Sequence, residues 1–287
     1  MPDRICPECK EPFPASQHLC PHCGRPSLFP NVYAAQDPQE RNLLQDRYSQ
    51  VCDELARRGD DGVAANFESD IRSNAVPVIS MNFGELERLG AADTNVLPTY
   101  YQRVQTGIVI PTGDKWDVLR GVAEHALFPG YKDNIRFGAL SLDGKGVRNY
   151  GNCSVTLKTE LVAHRTSLFA DNNVVFTVYD RQVTMAGAET LEKGHRATWD
   201  DRHMLCMAKL GPELKKSMQP QEFPGLLIKQ GETTMDDRFV ELHIWGSLTI
   251  RSIKVARVRR QENRPPKVLI KDLRRAVARY NVELLEI

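Results

Sequence analysis

Residues 239–246 of the chain have the sequence Phe-Val-Glu-Leu-His-Ile-Trp-Gly, an alternation that predicts a β-strand. One face of this strand is aliphatic and consists of Val240, Leu242 and Ile244. We expect that face to pack in the core. The other face carries rings and polar groups, namely Phe239, Glu241, His243 and Trp245. Such a face suits a ligand-binding cleft, although an ordinary amphipathic strand with Glu241 in solvent gives the same pattern.

Short apolar runs recur through the rest of the chain. Strands are predicted at residues 75–81, 107–111, 135–142, 153–157, 174–179, 225–229, 239–245 and 248–258. Helical spacing predicts helices within residues 38–71 and at 83–89, 114–128, 161–169, 198–210 and 267–280. The strands follow one another too closely for regular strand–helix–strand crossovers. We therefore predict an α+β fold with a mostly antiparallel sheet.

The N-terminal region contains two Cys-x2-Cys pairs, formed by Cys6, Cys9, Cys20 and Cys23. Four thiolates suit tetrahedral Zn²⁺, and the two-residue spacing lets one tight turn aim both sulfurs at the same ion. A disulfide or chance cysteines are the alternative, but the doubled spacing favours a structural zinc ribbon. His18 and His22 lie close enough in sequence to replace a cysteine ligand, which four cysteines make unnecessary.

The composition is that of a soluble globular protein, with 287 residues, 41% hydrophobic and 26% charged residues, and a net charge of +1. We predict a zinc ribbon over residues 1–30, a helical connector or first helices over 31–105, and the α+β domain over 106–287. No apolar run is long enough to span a bilayer, and no signal peptide is recognisable. We expect a cytoplasmic protein without a membrane partner.

Positive charge is concentrated near the C-terminus, where residues 251–280 contain eleven basic residues against Glu262 and Asp272. Such a segment can supply phosphate contacts, so a non-enzymatic zinc-ribbon adaptor that binds nucleic acid is one hypothesis. Solvated strand and helix faces explain the charges equally well, because no aromatic residues are interleaved for base stacking.

The sequence lacks the motifs of several common enzyme classes. GxxxxGK[ST], GxGxxG, HExxH and GxSxG are all absent, which removes the main support for P-loop, Rossmann, zincin and α/β-hydrolase functions. Polar residues inside predicted strands remain as candidates. Arg136 is followed two residues later by Gly138, where glycine permits either close approach of a ligand or a bulge. Ser154 and Thr156 project from one face of their strand, although such hydroxyls are common on plain sheet faces.

The order of an arginine strand, a Ser-x-Thr strand and a glutamate strand resembles that of ADP-ribosyltransferases. Residues 150–171 (YGNCSVTLKTELVAHRTSLFAD) and 239–250 (FVELHIWGSLTI) also resemble an uncharacterised bacterial family with a YG-x-C strand and a late glutamate strand. The resemblance covers about residues 106–260. It implies a split, mainly antiparallel sheet with flanking helices, and NAD as the substrate.

The resemblance also implies roles for single residues. Glu241 would stabilise the oxocarbenium ion that forms as nicotinamide leaves, and Arg136 would hold a phosphate or ribose of NAD. The remaining site residues would order the site, contact NAD or deprotonate the acceptor: Ser154, Thr156, Gly138, Tyr150, Arg165 and His243. Arg120 is the alternative first arginine, although its neighbours recur at helical spacing.

Three functions follow as hypotheses. The first is an NAD-dependent ADP-ribosyltransferase, of the kind found in toxins and defence effectors, that modifies a protein or nucleic acid located by the ribbon and the basic segment. The second is the nucleic-acid-binding adaptor, and the third is a metal-independent nuclease that uses His164, Arg165 or His243. A further partner protein is left open.

Overall fold

A computed structural model describes residues 4–6, 9, 11–13, 19–24, 29–108, 110, 115–180, 191–260 and 265–287. His18, Glu262, Arg264 and part of the strand predicted at 107–111 lie outside these residues. The predicted fold class is confirmed: the chain is α+β, with a large, mostly antiparallel sheet, flanking helices and a cysteine cluster near the N-terminus.

The helices are distributed along the whole chain. The described α-helices are α1 (Pro30–Ala35), α2 (Pro38–Arg58), α3 (Asp61–Asn74), α4 (Phe83–Ala91), α5 (Tyr100–Gln105), α6 (Lys115–Leu127), α7 (Thr159–Val162), α8 (Arg202–Leu210), α9 (Phe223–Leu227) and α10 (Lys267–Ala278). A π-helical turn covers Val175–Asp180. None of the described helices is both long and apolar enough to cross a membrane.

The described strands form one large sheet and two small ones. They are β1 (Arg4–Ile5), β2 (Pro12–Phe13), β3 (Val76–Met81), β4 (Ile135–Ser141), β5 (Cys153–Leu157), β6 (Thr166–Phe169), β7 (Arg196–Thr198), β8 (Ile228–Lys229), β9 (Arg238–Phe239), β10 (Glu241–Trp245), β11 (Ile253–Val258) and β12 (Glu283–Glu286). The large sheet has the order β12-β11-β5-β3-β4-β10-β6-β7, and all its pairs are antiparallel except β11 with β12.

The large sheet splits between two of its central strands, β3 and β4. These strands pair only from Val76 opposite Ser141 to Val78 opposite Ala139. Beyond Val78, β3 stays with β5 as far as Met81, whereas the first residues of β4 pair with β10 alone. A gap therefore opens in the sheet, and side chains from both of its faces can reach that gap.

Both faces of β10 are buried. Leu242 and Ile244 belong to the main core, as the alternation of the sequence predicts, together with Phe67 from α3 and Leu205 from α8. The residues 31–105 thus share the core of the large sheet, and they also supply its strand β3. The opposite face of β10 meets a separate aromatic cluster instead of solvent.

Several predicted elements have a different structure. The strand predicted at 225–229 is helical over residues 225–227, which end α9, and only Ile228–Lys229 form β8. Gly107 and Ile108, from the strand predicted at 107–111, lie in a turn after α5.

The helix predicted at 161–169 ends after one turn in α7, and Thr166–Phe169 instead form β6, which lies between β10 and β7. The strand predicted at 174–179 is helical, and its Phe176 packs in the aromatic cluster. A run of apolar residues this short does not distinguish a buried helix from a strand.

Glu40 ties α2 to the edge strand β7. Its Oε1 accepts hydrogen bonds from the backbone N–H groups of Gly194, His195 and Arg196, at 2.9, 2.9 and 2.7 Å. The side chain is 4% exposed, so water cannot replace the carboxylate. Glu40→Ala is therefore expected to lower the free energy of unfolding by about 2–5 kcal/mol. Denaturant unfolding measures this cost, and Glu54→Ala on the exposed face of the same helix is the control, expected within about 0.5 kcal/mol of wild type. Equal stabilities of the two variants would contradict the prediction.

Candidate active site

A cavity of about 260 Å³ lies at the gap between β3 and β4. Its charged and polar lining includes Arg103, Arg120, Glu124, Arg136, Tyr150 and Glu241. A smaller cavity of about 50 Å³ shares four of the lining residues, namely Ser80, Phe137, Tyr150 and Glu241. Polar groups from opposite faces of the sheet thus meet in one concave space, which is the usual form of a small-molecule site.

Glu241 is the acidic group at the sheet side of the cavity, and it is 5% exposed. Its Oε2 accepts a hydrogen bond from the backbone N–H of Asn173 at 3.0 Å and lies 3.2 Å from Nε2 of His243. Burial raises the pKa of Glu241 to about 8. The carboxyl group is therefore held in one orientation and is mainly protonated at pH 7 while the cavity contains no cation.

His243 lies behind Glu241 and not in the cavity. It is 2% exposed, and its ring is surrounded by those of Phe128, Phe137 and Phe169, at centroid distances of 4.6, 5.6 and 6.0 Å. Burial lowers the pKa of His243 well below its ordinary value, so the imidazole is neutral. The structure does not let His243 reach an acceptor. Its contact with Glu241 makes it a positioning residue.

Arg136 reaches the cavity from the other face of the sheet, because its partner in β10 is Ile244 and not a residue of the Glu241 face. It is 5% exposed, and its Nε donates to the carbonyl oxygen of Leu97 at 2.8 Å. Among the described residues no carboxylate lies within ion-pair distance of its guanidinium, and burial lowers its pKa to about 10. A buried cation without a counterion is costly unless an anion binds.

Glu124 from α6 is a second buried carboxyl group that lines the same cavity as Glu241. Its Oε1 lies 3.9 Å from Nε of Arg120, one helical turn earlier, and Tyr101 hydrogen-bonds to the carboxyl group. Burial raises the pKa of Glu124 to about 7. The guanidinium of Arg120 lies 4.2 Å from the ring centroid of Tyr100, which fixes it over the cavity. Arg120 is on a helix, as its spacing predicts.

The segment after β6 contributes Asn172 and Asn173 to the lining of the cavity. Asp171 accepts contacts from Lys209 at 3.1 Å and Arg238 at 3.2 Å, and its Oδ1 also accepts the backbone N–H of Asn172 at 2.8 Å. Asn172 Nδ2 then donates to the hydroxyl of Tyr150 at 3.2 Å. The ion pairs of Asp171 therefore hold the backbone that hydrogen-bonds to Glu241.

Of the hydroxyl residues proposed from the sequence, neither Ser154 nor Thr156 lines the cavity. Both share the sheet face of Glu241, but they lie on β5, which is separated from β10 by β3 and β4. The Thr156 hydroxyl accepts a hydrogen bond from Arg257 at 2.7 Å. The serine that lines the cavity is Ser80 of β3, which is directly opposite Ser154. The hydroxyls of both serines are buried and have no hydrogen-bond partner in the described part of the chain.

Gly138 and Arg165 have structural positions. Gly138 lines only the smaller cavity, and a Cβ there would lie 2.7 Å from the carbonyl oxygen of Val78, so glycine is required for the approach of β4 to β3. Arg165 donates to the backbone carbonyls of Trp245 and Ser247 and thereby clamps the end of β10. It does not line the cavity, because these contacts hold it at the far end of the strand.

The residues proposed for a nuclease do not converge. His164 packs on Phe29 at a centroid distance of 5.7 Å, Arg165 is occupied by backbone carbonyls, and His243 is buried among rings. A nuclease needs such groups together on an accessible surface. The nuclease hypothesis therefore has no geometric support within the described residues.

Several arginines of the basic segment make contacts within the protein. Arg251 is hydrogen-bonded to Asp93, Arg259 donates to the carbonyl oxygen of Gly146, and Arg279 donates to that of Gly90. These contacts occupy donors that the nucleic-acid hypothesis assigns to phosphates. Other basic residues, Lys254, Lys267 and Lys271, remain exposed.

The four N-terminal cysteines form a compact cluster beside the β1–β2 hairpin. Their sulfur atoms all lie within 4.8 Å of one another, with Cys6 Sγ to Cys23 Sγ at 3.7 Å and Cys9 Sγ to Cys20 Sγ at 3.5 Å. A tetrahedral site with metal–sulfur bonds of about 2.3 Å requires sulfur separations near 3.8 Å. None of the four cysteines is bridged to another in the structure, and the cluster could bind a metal such as zinc.

No family model, curated protein or solved structure matches the chain. The function of the protein has to be inferred from the chemistry of the cavity. Four of the residues proposed from the sequence line this cavity, namely Arg120, Arg136, Tyr150 and Glu241.

Five polar residues of the site were not predicted from the sequence: Ser80, Arg103, Glu124, Asn172 and Asn173. A signal was present for Glu124, because Arg120 and Glu124 are four residues apart and thus neighbours on one helix face. For Asn172 and Asn173 the signal was the sequence Asp-Asn-Asn at 171–173, a polar turn directly after a buried strand. Ser80 had none, because a single serine in an apolar strand has no distinctive pattern.

Proposed function

We propose that this protein is an NAD-dependent ADP-ribosyltransferase that acts on a macromolecular acceptor, protein or nucleic acid. The observation that supports this most directly is the convergence of a buried carboxyl group, that of Glu241, and a buried guanidinium, that of Arg136, on one cavity in a split antiparallel sheet. The resemblance of the ordered arginine and glutamate strands to that superfamily agrees with this assignment.

The charges of the cavity match a ligand that carries both signs. NAD has a cationic nicotinamide ring joined to a ribose and an anionic pyrophosphate. Arg136 and Arg120 are suited to phosphate oxygens, because a guanidinium offers a planar fork of donors. Glu241 is suited to the cationic end. The volume of about 260 Å³ is below the range of about 300–1,000 Å³ typical of larger ligands, so we expect it to enclose the nicotinamide riboside part.

The proposed chemistry begins with departure of nicotinamide from the ribose. The bond between C1′ and the ring nitrogen breaks, its electron pair leaves with neutral nicotinamide, and positive charge develops on C1′ and the ring oxygen. A carboxylate in a low-dielectric cavity stabilises that charge strongly. Because a cation nearby favours the ionised carboxylate, NAD binding is expected to lower the pKa of Glu241 from about 8.

Incubation of the purified full-length protein with NAD labelled on the adenylate phosphate tests this proposal. We expect nicotinamide to be released and label to appear either on protein or on nucleic acid supplied from a cell extract. The two fractions, separated by nuclease or protease treatment, identify the acceptor class. Absence of nicotinamide release together with absence of NAD binding by calorimetry would exclude the function.

We also infer that the cysteine cluster holds a structural Zn²⁺. The sulfur separations fit the ion, and four thiolates leave no open coordination position for chemistry. The cluster would therefore stabilise the ribbon, whose hairpin is too small to fold through a core of its own.

The zinc assignment predicts about one zinc per chain after purification, measured by mass spectrometry of the metal. Cys9→Ser is expected to reduce this content at least tenfold, because one of four thiolate ligands is lost. Cys52→Ser, which changes a thiol outside the ribbon, is the matched control and keeps the metal. A wild-type protein that binds no zinc when refolded with the ion would contradict the assignment.

A further inference from the structure

Glu124 and Glu241 differ in how their buried oxygens are occupied. In Glu241, Oε2 is held by the Asn173 amide and by His243. In Glu124, which is 2% exposed, Oε1 faces Arg120, whereas Oε2 is buried and has no hydrogen-bond partner among the described residues. A buried carboxylate oxygen without a donor is costly. Because Glu124 lines the cavity, a rotation of its carboxyl group would bring the unpaired oxygen to a ligand hydroxyl, which could supply the missing donor.

We propose that Glu124 is a second catalytic carboxylate, which removes the proton from a hydroxyl acceptor as that hydroxyl attacks the ribose. This inference rests on the proposed function and adds the chemical class of the acceptor. The acceptor is a neutral O–H group, either water or a hydroxyl of the macromolecule, small enough to enter the cavity. The near-complete burial of Glu124 excludes a proton transfer at the protein surface.

The reaction balances with these two carboxylates. As the bond from C1′ to nicotinamide breaks, the hydroxyl oxygen forms the new bond to C1′. The proton of that hydroxyl moves to the carboxylate of Glu124, which later releases it to solvent. Glu241, ionised once the cationic end of NAD is bound, stabilises the positive charge. Nicotinamide leaves as a neutral molecule and needs no acid, so one base is sufficient.

The groups around Glu124 suit a base that works near neutrality. Burial has the largest effect and raises its pKa to about 7, and the negative charge of Glu241 acts in the same direction. Tyr101, Arg120 and Lys132 act in the opposite direction, since a hydrogen bond and two positive charges favour the carboxylate. A base is most effective when its pKa lies near the working pH. The basic form exists above about pH 7, so the rate should fall as the pH decreases below that value.

Rescue by azide distinguishes this role from a structural one. Azide is an anionic nucleophile without a proton, so it needs no base to attack C1′. In Glu124→Ala, nicotinamide release with NAD alone is expected to fall about 100-fold, and azide is expected to restore it at least tenfold with formation of ADP-ribosyl azide. Glu124→Gln, which keeps the side-chain shape, should show the same loss and should lose the decrease in rate below pH 7. Glu87→Gln, an exposed glutamate, is the control and should behave as wild type.

The outcomes separate the two proposals. Azide should not rescue Glu241→Gln, because the charge on C1′ is then unstabilised whichever nucleophile attacks. Wild-type activity that survives in Glu124→Gln with an unchanged pH profile, or a loss that azide leaves unchanged, overturns the role of Glu124 and leaves the transferase function standing. A wild-type protein that does not cleave NAD overturns both. Free ADP-ribose as the product identifies water as the acceptor, and label on a macromolecule identifies its hydroxyl.

Discussion

Glu241→Gln is expected to reduce nicotinamide release from saturating NAD by about 10²–10³-fold. Glutamine keeps the size of the side chain, and its carbonyl oxygen can still accept the hydrogen bond of Asn173 that Oε2 accepts now. Only the negative charge beside C1′ is lost. The affinity for NAD should therefore change much less than the rate, because the charge acts mainly on the transition state.

The same substitution has a predicted effect on stability that is independent of activity. Burial raises the pKa of Glu241 from an ordinary value of 4.5 to about 8. Between these values the folded protein keeps a proton that the unfolded chain has released, so the stability of the wild type falls as the pH rises. Glutamine does not titrate. The unfolding free energy of Glu241→Gln relative to wild type should increase between about pH 4.5 and pH 8, by on the order of a few kcal/mol.

Glu160→Gln is the matched control, since Glu160 lies exposed on α7. It should change neither the rate nor the pH dependence of stability. If Glu241→Gln released nicotinamide at the wild-type rate, Glu241 would have no part in the chemistry. If its stability relative to wild type were independent of pH, the carboxyl group would not be protonated in the folded protein.

The alternation of residues 239–246 was sufficient to predict β10 and its core face. Alternate side chains of a strand point to opposite faces of the sheet, so the three aliphatic residues share the face that packs in the core. The same pattern left the position of Glu241 open between solvent and a cleft. That face of β10 is covered by an aromatic cluster with Phe128 and Phe169, which come from segments more than 70 residues earlier in the chain and pack on His243 beside Glu241. Such a long-range contact has no local signal in a single sequence.

The sequence also did not predict that Ser80, and not Ser154, lines the cavity, because this too depends on tertiary packing. An Arg, Ser-x-Thr and Glu order gives the sequence of strands but not their neighbours in the sheet. In the structure β3 lies between β5 and β4, so its Ser80 is nearer to the gap than Ser154 is. The gap itself arises because β3 and β4 diverge after Val78. Strand order and divergence are properties of tertiary packing, and neither is encoded in the alternation of one strand.

Arg136→Met is expected to weaken NAD binding by about 10–100-fold with little loss of stability. A hydrogen bond to a charged group contributes about 1.5–3 kcal/mol, and each 1.4 kcal/mol corresponds to a factor of ten. The phosphate of NAD loses such a partner in the variant. In the free protein two effects oppose each other. Methionine leaves the carbonyl oxygen of Leu97 without its donor, but it also removes a buried charge that no described carboxylate neutralises.

A purely structural arginine would give the opposite pair of results. The loss of such an arginine would leave its buried partner without a counterion and would lower the free energy of unfolding by more than about 3 kcal/mol. The affinity for NAD would be unchanged. Calorimetric titration with NAD and denaturant unfolding of the same samples separate these cases. Arg41→Met, at an exposed site on α2, controls for the loss of one positive charge. The buried charge of Arg136 destabilises the free protein unless an anion binds. An Arg136→Met variant that keeps the wild-type free energy of unfolding but loses affinity for NAD would therefore show that the guanidinium binds the ligand.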